Sequence, residues 1–268
     1  MASDLAAQNR AHFNQIAATY DKDLDEGLKS LTEAVQARID WIGVDWNRPV
    51  KVLDYACGTG VISRVIMLCS SIVLSFSLTE LTTQALAPHV TELIGVDISE
   101  EMVAKYNANA DALGPGGAKM SALLGNLTDR DNPPADQFAD PRYFNFDLIV
   151  VGMALHHMDD PTYALTRLGA RLKNRGVLFV IDNQSRHHPH DEDSGHSGYD
   201  EDYHKLAGAD AMKTVRHAGF TKETVNQMFA AAGVDGNFDH VLLEEPIVIR
   251  PRGMKIALKM FFARGERV

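Results

Sequence analysis

The run Val50-Lys51-Val52-Leu53-Asp54-Tyr55-Ala56-Cys57-Gly58-Thr59-Gly60 constrains the fold more than any other stretch of the chain. It opens behind Pro49 as a short apolar segment with β-branched residues. That is the pattern of a strand buried on both faces of a parallel sheet. It closes in an acid and a glycine-rich turn. Glycine lets the backbone approach a ligand closely, and the helix that follows offers unpaired N–H groups in its first turn. Strand, glycine turn and helix make the first unit of a nucleotide-binding α/β fold. Asp54 narrows the choice of ligand. A carboxylate ahead of the glycines repels a pyrophosphate but attracts an amine or a hydroxyl. A ligand with an adenosine and an amino-acid ammonium, and no phosphate, fits better.

Val52–Gly60 resembles the first motif of class I S-adenosylmethionine-dependent methyltransferases. The resemblance implies S-adenosyl-L-methionine as cofactor and places Asp54, Ala56, Gly58, Thr59 and Gly60 beside it. A Gly-x-Gly turn also occurs in purely structural βα units, so the context along the chain decides.

With 268 residues the chain is long enough to bury a full core. The net charge of −10 argues against a nucleic-acid partner, which would need a basic face. Cys57 and Cys69 are the two cysteines, too few for a disulfide framework. The N-terminal stretch is polar and no apolar run reaches membrane-spanning length. A soluble cytoplasmic protein with no membrane partner is expected.

Residues 1–21 read as one amphipathic helix and Leu28 to Ile42 as a second, with residues 1–45 forming a helical lid. The segment Phe13 to Asp21 resembles the N-terminal lid of small-molecule methyltransferases, which implies that Tyr20 lies near the cofactor. Packing on the sheet edge is the alternative.

After Gly60 the spacing departs from the pattern. An acid that binds a ribose is expected about 20 residues on from the turn. The strand Glu92-Leu93-Ile94-Gly95-Val96-Asp97 supplies one, but Asp97 lies 37 positions beyond Gly60. The excess is Val65 to Gln84, which is uncharged except for Glu80 and fits neither a helix period nor a hairpin. Without it Arg64 meets Ala85, and Ile62, Leu86 and Val90 fall on one helix face. Its 20 residues correspond to an in-frame 60 nucleotides, with Val at the start (GT) and Gln at the end (CAG). Those are the ends of a spliceosomal intron, so the stretch reads as a translated, unspliced intron. A genuine family-specific insertion is the alternative.

Leu93-Ile94-Gly95-Val96-Asp97-Ile98-Ser99 resembles the second methyltransferase motif. A carboxylate at Asp97 can accept from both ribose hydroxyls. Ser99 is a helix cap with Glu100 and Glu101 in the first turn. The resemblance puts Ile98 and Met102 against the adenine, with core packing the alternative for Met102. After the strand Met120 to Leu124 come Asn126 and Leu127, where the family often has an adenine-binding Asp. The Asn126 carbonyl could accept there, with Asp129 as rival.

Phe146 to Gly152 is the fourth buried strand and runs into Met153-Ala154-Leu155-His156-His157-Met158-Asp159-Asp160. Ligands of open parallel sheets sit at the carboxyl ends of strands. Gly152 is therefore placed against the cofactor, and His156 and His157 against the acceptor. This double His resembles the fourth motif of small-molecule methyltransferases, and His is the usual proton carrier near neutral pH. Either ring could instead only shape the pocket. A helix from Thr162 to Leu172 and a turn at Lys173–Gly176 lead to the strand Val177 to Asp182.

Residues 186–205 form an acidic His-rich loop whose spacing matches no zinc motif, so no metal is expected. His217 is a further candidate pocket residue. Phe238 to Ile249 and Met254 to Ala263 read as a closing antiparallel hairpin. The expectation is a single α/β domain over 1–268. Its core is a doubly wound, seven-stranded, mostly parallel sheet with a C-terminal antiparallel hairpin. The expected activity is methyl transfer to an O, N or C atom of a small-molecule acceptor. The alternatives are a non-catalytic binding protein of the same fold, an enzyme disrupted by a retained intron, and a nicotinamide oxidoreductase. The last would want a glycine at Ser63 and no acid at Asp54. No feature specifies an oligomeric state.

Overall fold

The computed structural model describes residues 4–72, 90–114, 119–130, 135–185, 214–250 and 255–268, with the backbone alone at 68–72. β1 (Val50–Tyr55) is the pivot, pairing in parallel with β2 (Val90–Asp97) on one side and β4 (Phe146–Gly152) on the other. β3 (Met120–Leu124) extends one wing and β5 (Leu172–Asn183) the other, again in parallel. β9 (Met260–Glu266) inserts antiparallel between β5 and β6 (Gly236–Leu242). The seven-stranded order is β3-β2-β1-β4-β5-β9-β6. Chain order reverses between β1 and β4, which opens a crevice at their carboxyl ends. The expected doubly wound sheet is present.

The central strands are apolar on both faces, and helices cover both. One layer holds α1 (Asp4–Gln36), α2 (Val61–Ile72) and α3 (Glu100–Ala112) against Val52, Leu93, Leu148 and Phe179. The other holds α4 (Pro161–Gly169) and α5 (Lys222–Ala231) against Leu53, Ile94, Ile149 and Leu178. Caps fix where these helices start. Ser99 Oγ accepts from Met102 N–H, Asp160 from Tyr163 N–H, and Thr221 Oγ1 from Thr224 N–H.

Four expectations change. The two N-terminal helices are one continuous helix, α1, which runs through Gly27. A Cβ on Gly27 would lie 2.8 Å from Val248 O, so the glycine lets a strand pack directly on the helix. That strand is β7 (Ile247–Ile249), which pairs antiparallel with β8 (Ile256–Leu258). The closing hairpin is thus two nested units. β6 and β9 stay in the main sheet, and β7–β8 forms a separate two-stranded sheet against α1. Third, Val65 to Ile72 continues α2, with Val65, Ile66 and Met67 at most 5% exposed, although the segment's composition reads as aperiodic. Residues 73–89 lie outside the described residues, and Val90 begins β2 rather than completing a helix face. Fourth, β5 begins at Leu172, because the expected turn at 173–176 is a kink inside the strand, with Arg175 at φ 61°. Residues 186–205 also lie outside the described residues. No described helix is long and apolar enough to cross a membrane.

Candidate functional site

Two contiguous cavities open at the carboxyl ends of β1, β2, β4 and β5. The larger, about 710 Å³, is lined by Tyr55, Ala56, Gly58, Asp97, Ile98, Met102, Asn126, Asp129, Gly152 and Tyr20 among others. The smaller, about 240 Å³, lies between α1, the β7–β8 hairpin and the ends of β4 and β5. Phe13, Tyr20, Ala56, Gly58, Gly152, Met153 and His157 line both.

Asp97 ties the first two motifs together. Its Oδ2 accepts from Gly58 N–H at 2.8 Å and its Oδ1 from Ser99 N–H at 2.9 Å. Each carboxylate oxygen keeps acceptor capacity for a ligand hydroxyl. Burial pushes this carboxyl above the usual range, and the bonds from Ser99 and Gly58 pull it back in part. The glycine turn is left-handed at Ala56, Gly58 and Gly60, with φ of 55°, 51° and 83°. A Cβ on Gly58 would meet nothing within 4 Å, so this backbone is an open cradle. Gly60 works differently. A Cβ there would lie 2.7 Å from the Tyr106 ring, so this glycine permits close packing on α3.

Asp54 is 1% exposed and takes a hydrogen bond from Ser63 Oγ at 2.7 Å, which in turn receives one from Tyr106 OH at 2.8 Å. It lines the smaller cavity and not the larger one, so it is set apart from Asp97, which it was expected to accompany at the cofactor. Burial raises its pKa to about 7 against the opposing pull of Ser63. Thr59 is fully buried and bonds outward to Asp21 on α1, away from the larger cavity. Asn109 Nδ2 bridges Asp21 and Thr59 O.

The residues that follow β3 divide between cavity wall and core. Asn126 Oδ1 already accepts from Tyr55 OH at 2.9 Å and from Thr128 N–H at 3.0 Å, which fills its lone pairs. These bonds tie the loop to β1, and the residue lines the larger cavity. Leu127 is 1% exposed in the core and lines neither cavity. Asp129 does line the larger one. Tyr55 is a wall residue that the sequence pattern hides inside a strand. Burial raises its phenol to about 12, so it stays protonated as a donor.

The two histidines divide. His156 Nδ1 lies 2.7 Å from Asp182 Oδ1, and its backbone N–H also reaches Asp182 Oδ2 at 3.2 Å. Asp182 is fully buried. His157 Nδ1 lies 2.7 Å from Thr214 O. Burial first, then the neighbouring His156, drives the His157 pKa well below 6.5, so this ring is neutral. The two rings are 4.1 Å apart, and Phe13 meets His157 edge-on at 5.2 Å. His156 lines only the smaller cavity. His217 lines neither, and its Nε2 sits 3.0 Å from Met158 O. Asp182 was findable in sequence, since β4 and β5 pair with Gly152 opposite Ile181, setting the acid beside the loop that carries His156.

α1 closes over both cavities and is bolted at several points. Asn14 Oδ1 accepts from Ser99 Oγ at 2.6 Å, Arg10 pairs with Glu100, and Asn9 Nδ2 donates to His157 O at 3.0 Å. Among the described residues no group of three His, Cys, Asp or Glu side chains could hold a metal ion.

A switch-point crevice, an open glycine cradle and a two-oxygen acceptor beside it define an α/β protein with a nucleoside-type site. Residues 17–236 match the model of the methyltransferase domain family, and the chain belongs to that family. A protein of Schizosaccharomyces pombe named as an uncharacterised methyltransferase is 27% identical over 230 residues, covering 83% of this chain and 69% of that one. The fold is similar to the YcgJ protein of Bacillus subtilis, with TM-score 0.54, 18% identity and coverage of 90% and 97% of the two chains. It is also similar to the magnesium protoporphyrin IX methyltransferase of Synechocystis, solved with S-adenosylmethionine bound. There the TM-score is 0.57 and the identity 14%, over 100% and 99% of the chains.

Proposed function

We propose that the chain transfers a methyl group from S-adenosyl-L-methionine to an O, N or C atom of a small-molecule acceptor. The observation that carries this reading is the pair of joined cavities. One has the cradle and carboxylate of a nucleoside site, the other a buried His–Asp pair, and His157 stands between them.

The cofactor fits the larger cavity. Gly58 leaves room at the backbone. Asp97 has acceptor capacity for two hydroxyls, and Ile98 and Met102 offer apolar contact to a base. When bound, it supplies an electrophilic methyl carbon on a sulfonium sulfur that leaves as a neutral thioether. The protein's part is largely alignment, because direct displacement needs the nucleophile held in line. Asp182 fixes His156 with its proton on Nδ1, so Nε2 is the basic nitrogen presented to an acceptor. His157 is held the same way by Thr214 O. Its strongly lowered pKa makes it a weak base and a fixed hydrogen-bond acceptor. His156 is therefore the base, and His157 orients the acceptor.

Replacing His156 by Ala should lower turnover by about 10²–10⁴, the usual share of general base catalysis, with S-adenosylhomocysteine affinity unchanged. Turnover equal to wild type with the true acceptor would remove the base role.

The reading of Val65–Gln84 as a translated intron stands as a proposal. α2 starts in register regardless, since Arg64 N–H bonds Gly60 O at 3.0 Å and Ser63 holds Asp54. That regular first turn favours a working site over a disrupted one.

A further inference from the structure

We propose that the smaller cavity is the acceptor site and admits an uncharged, mainly apolar molecule carrying a hydroxyl group, while turning away carboxylated and phosphorylated ones. This rests on the methyl-transfer reading and names its substrate class.

The apolar part of the wall comes from α1 and the β7–β8 hairpin. Leu24 and Leu28 of α1 face Ile249 and Leu258 of the β7–β8 hairpin. Gly27 brings the two surfaces together, because any side chain at that position would strike Val248 O. Among the described lining residues there is no lysine or arginine, whereas Asp23 and Asp54 are both present. An anionic ligand would find no counter-charge among the described lining residues and would lose its hydration, which is heavily unfavourable.

The polar end sets the donor pattern. A ring nitrogen facing a carboxylate or a carbonyl must carry the proton. Nδ1 is therefore the N–H in both His156 and His157, and both Nε2 atoms are acceptors. Asn183, also in the lining, has a buried Oδ1 with no hydrogen-bond partner among the described residues. These acceptors stand beside a largely apolar wall, and a ligand that brings the hydrogen suits them. A hydroxyl meets this and also needs what His156 offers, since its oxygen becomes a strong nucleophile as its proton passes to Nε2. A neutral amine already has a free lone pair and gains little from a base.

The test is calorimetry on the full chain saturated with S-adenosylhomocysteine, using three probes of one shape: 2-naphthol, 2-methoxynaphthalene and 6-hydroxy-2-naphthoate. The proposal expects 2-naphthol to bind at least tenfold more tightly than either of the others. Leu24→Arg, or Ile249→Lys if that variant does not fold, should raise affinity for the carboxylated probe tenfold or more. Equal binding of 2-naphthol and the carboxylate, equal binding of the donor-capped ether, or no binding of 2-naphthol up to its solubility limit would each overturn it. Failure to bind S-adenosylhomocysteine at all would instead remove the methyl-transfer reading beneath it.

Discussion

Asp54→Asn should change how stability depends on pH. Asp54 is fully enclosed at the end of β1, and burial dominates its environment. Ser63 offsets part of that cost, and the nearby charge of Asp97 adds to it. The result is a pKa of about 7 against the ordinary value of 3.8. Between those values the folded chain holds a proton that the unfolded chain has released. The stabilisation is therefore full below about pH 3.8 and is lost as pH rises through about 7. The gap corresponds to about 4 kcal/mol, of which roughly 2–3 kcal/mol falls between pH 5 and pH 8. Asn at position 54 keeps an oxygen to accept from Ser63 but cannot ionise. Urea denaturation of both proteins at pH 5, 6, 7 and 8 isolates the effect, because every other group titrates in both. The variant should gain on the wild type by about 2–3 kcal/mol across that range. A difference that stays constant within about 0.5 kcal/mol, or that moves the other way, refutes the reasoning.

Asp182→Asn removes the charge that fixes the His156 tautomer and should lower turnover about 10²–10⁴-fold while leaving S-adenosylhomocysteine affinity within threefold, as steady-state kinetics and calorimetry will show. Gly27→Ala improves helix propensity by about 1 kcal/mol but forces a Cβ onto Val248 O, so a net loss of about 1–3 kcal/mol is expected in chemical denaturation. Ser99→Ala removes both the α3 cap and the bond to Asn14, and should cost about 1–2 kcal/mol of stability. Deleting Val65–Gln84 sets Leu86 where Ile66 is fully buried. If the stretch is a translated intron, the shortened chain folds with equal or higher thermal stability and binds S-adenosylhomocysteine; a main transcript that retains the 60 nucleotides and encodes the active form would contradict that origin.

The sheet was legible because its strands are continuous apolar runs that end in acids or glycines, and that signal is local. Asp97, Ser99 and the glycine turn could be read for the same reason, as each acts through its own backbone neighbourhood. What depends on distant partners was not legible. Asn126 has the right chemistry for an adenine, yet Tyr55, 71 positions away, occupies its oxygen. Thr59 sits in the cofactor motif but turns to Asp21 on α1. The break expected near residue 22 is absent because β7 packs on Gly27, turning a helix-weakening glycine into a contact point. The short hairpin strands lay hidden inside two longer apolar segments, since periodicity alone does not say which sheet a strand joins. The two histidines looked equivalent in sequence. Asp182 and Thr214 O distinguish them.

The central claim is that the cradle at Gly58 and the carboxylate of Asp97 form a site for S-adenosyl-L-methionine. Titration calorimetry of the full chain with S-adenosylhomocysteine, beside Asp97→Ala, tests it most directly. One site per chain is predicted, with affinity in the micromolar range usual for enzyme ligands. Loss of two charge-assisted hydrogen bonds, each about 1.5–3 kcal/mol, should weaken binding at least 100-fold in the variant. No heat of binding to the wild-type chain, or equal affinity in Asp97→Ala, would contradict the account.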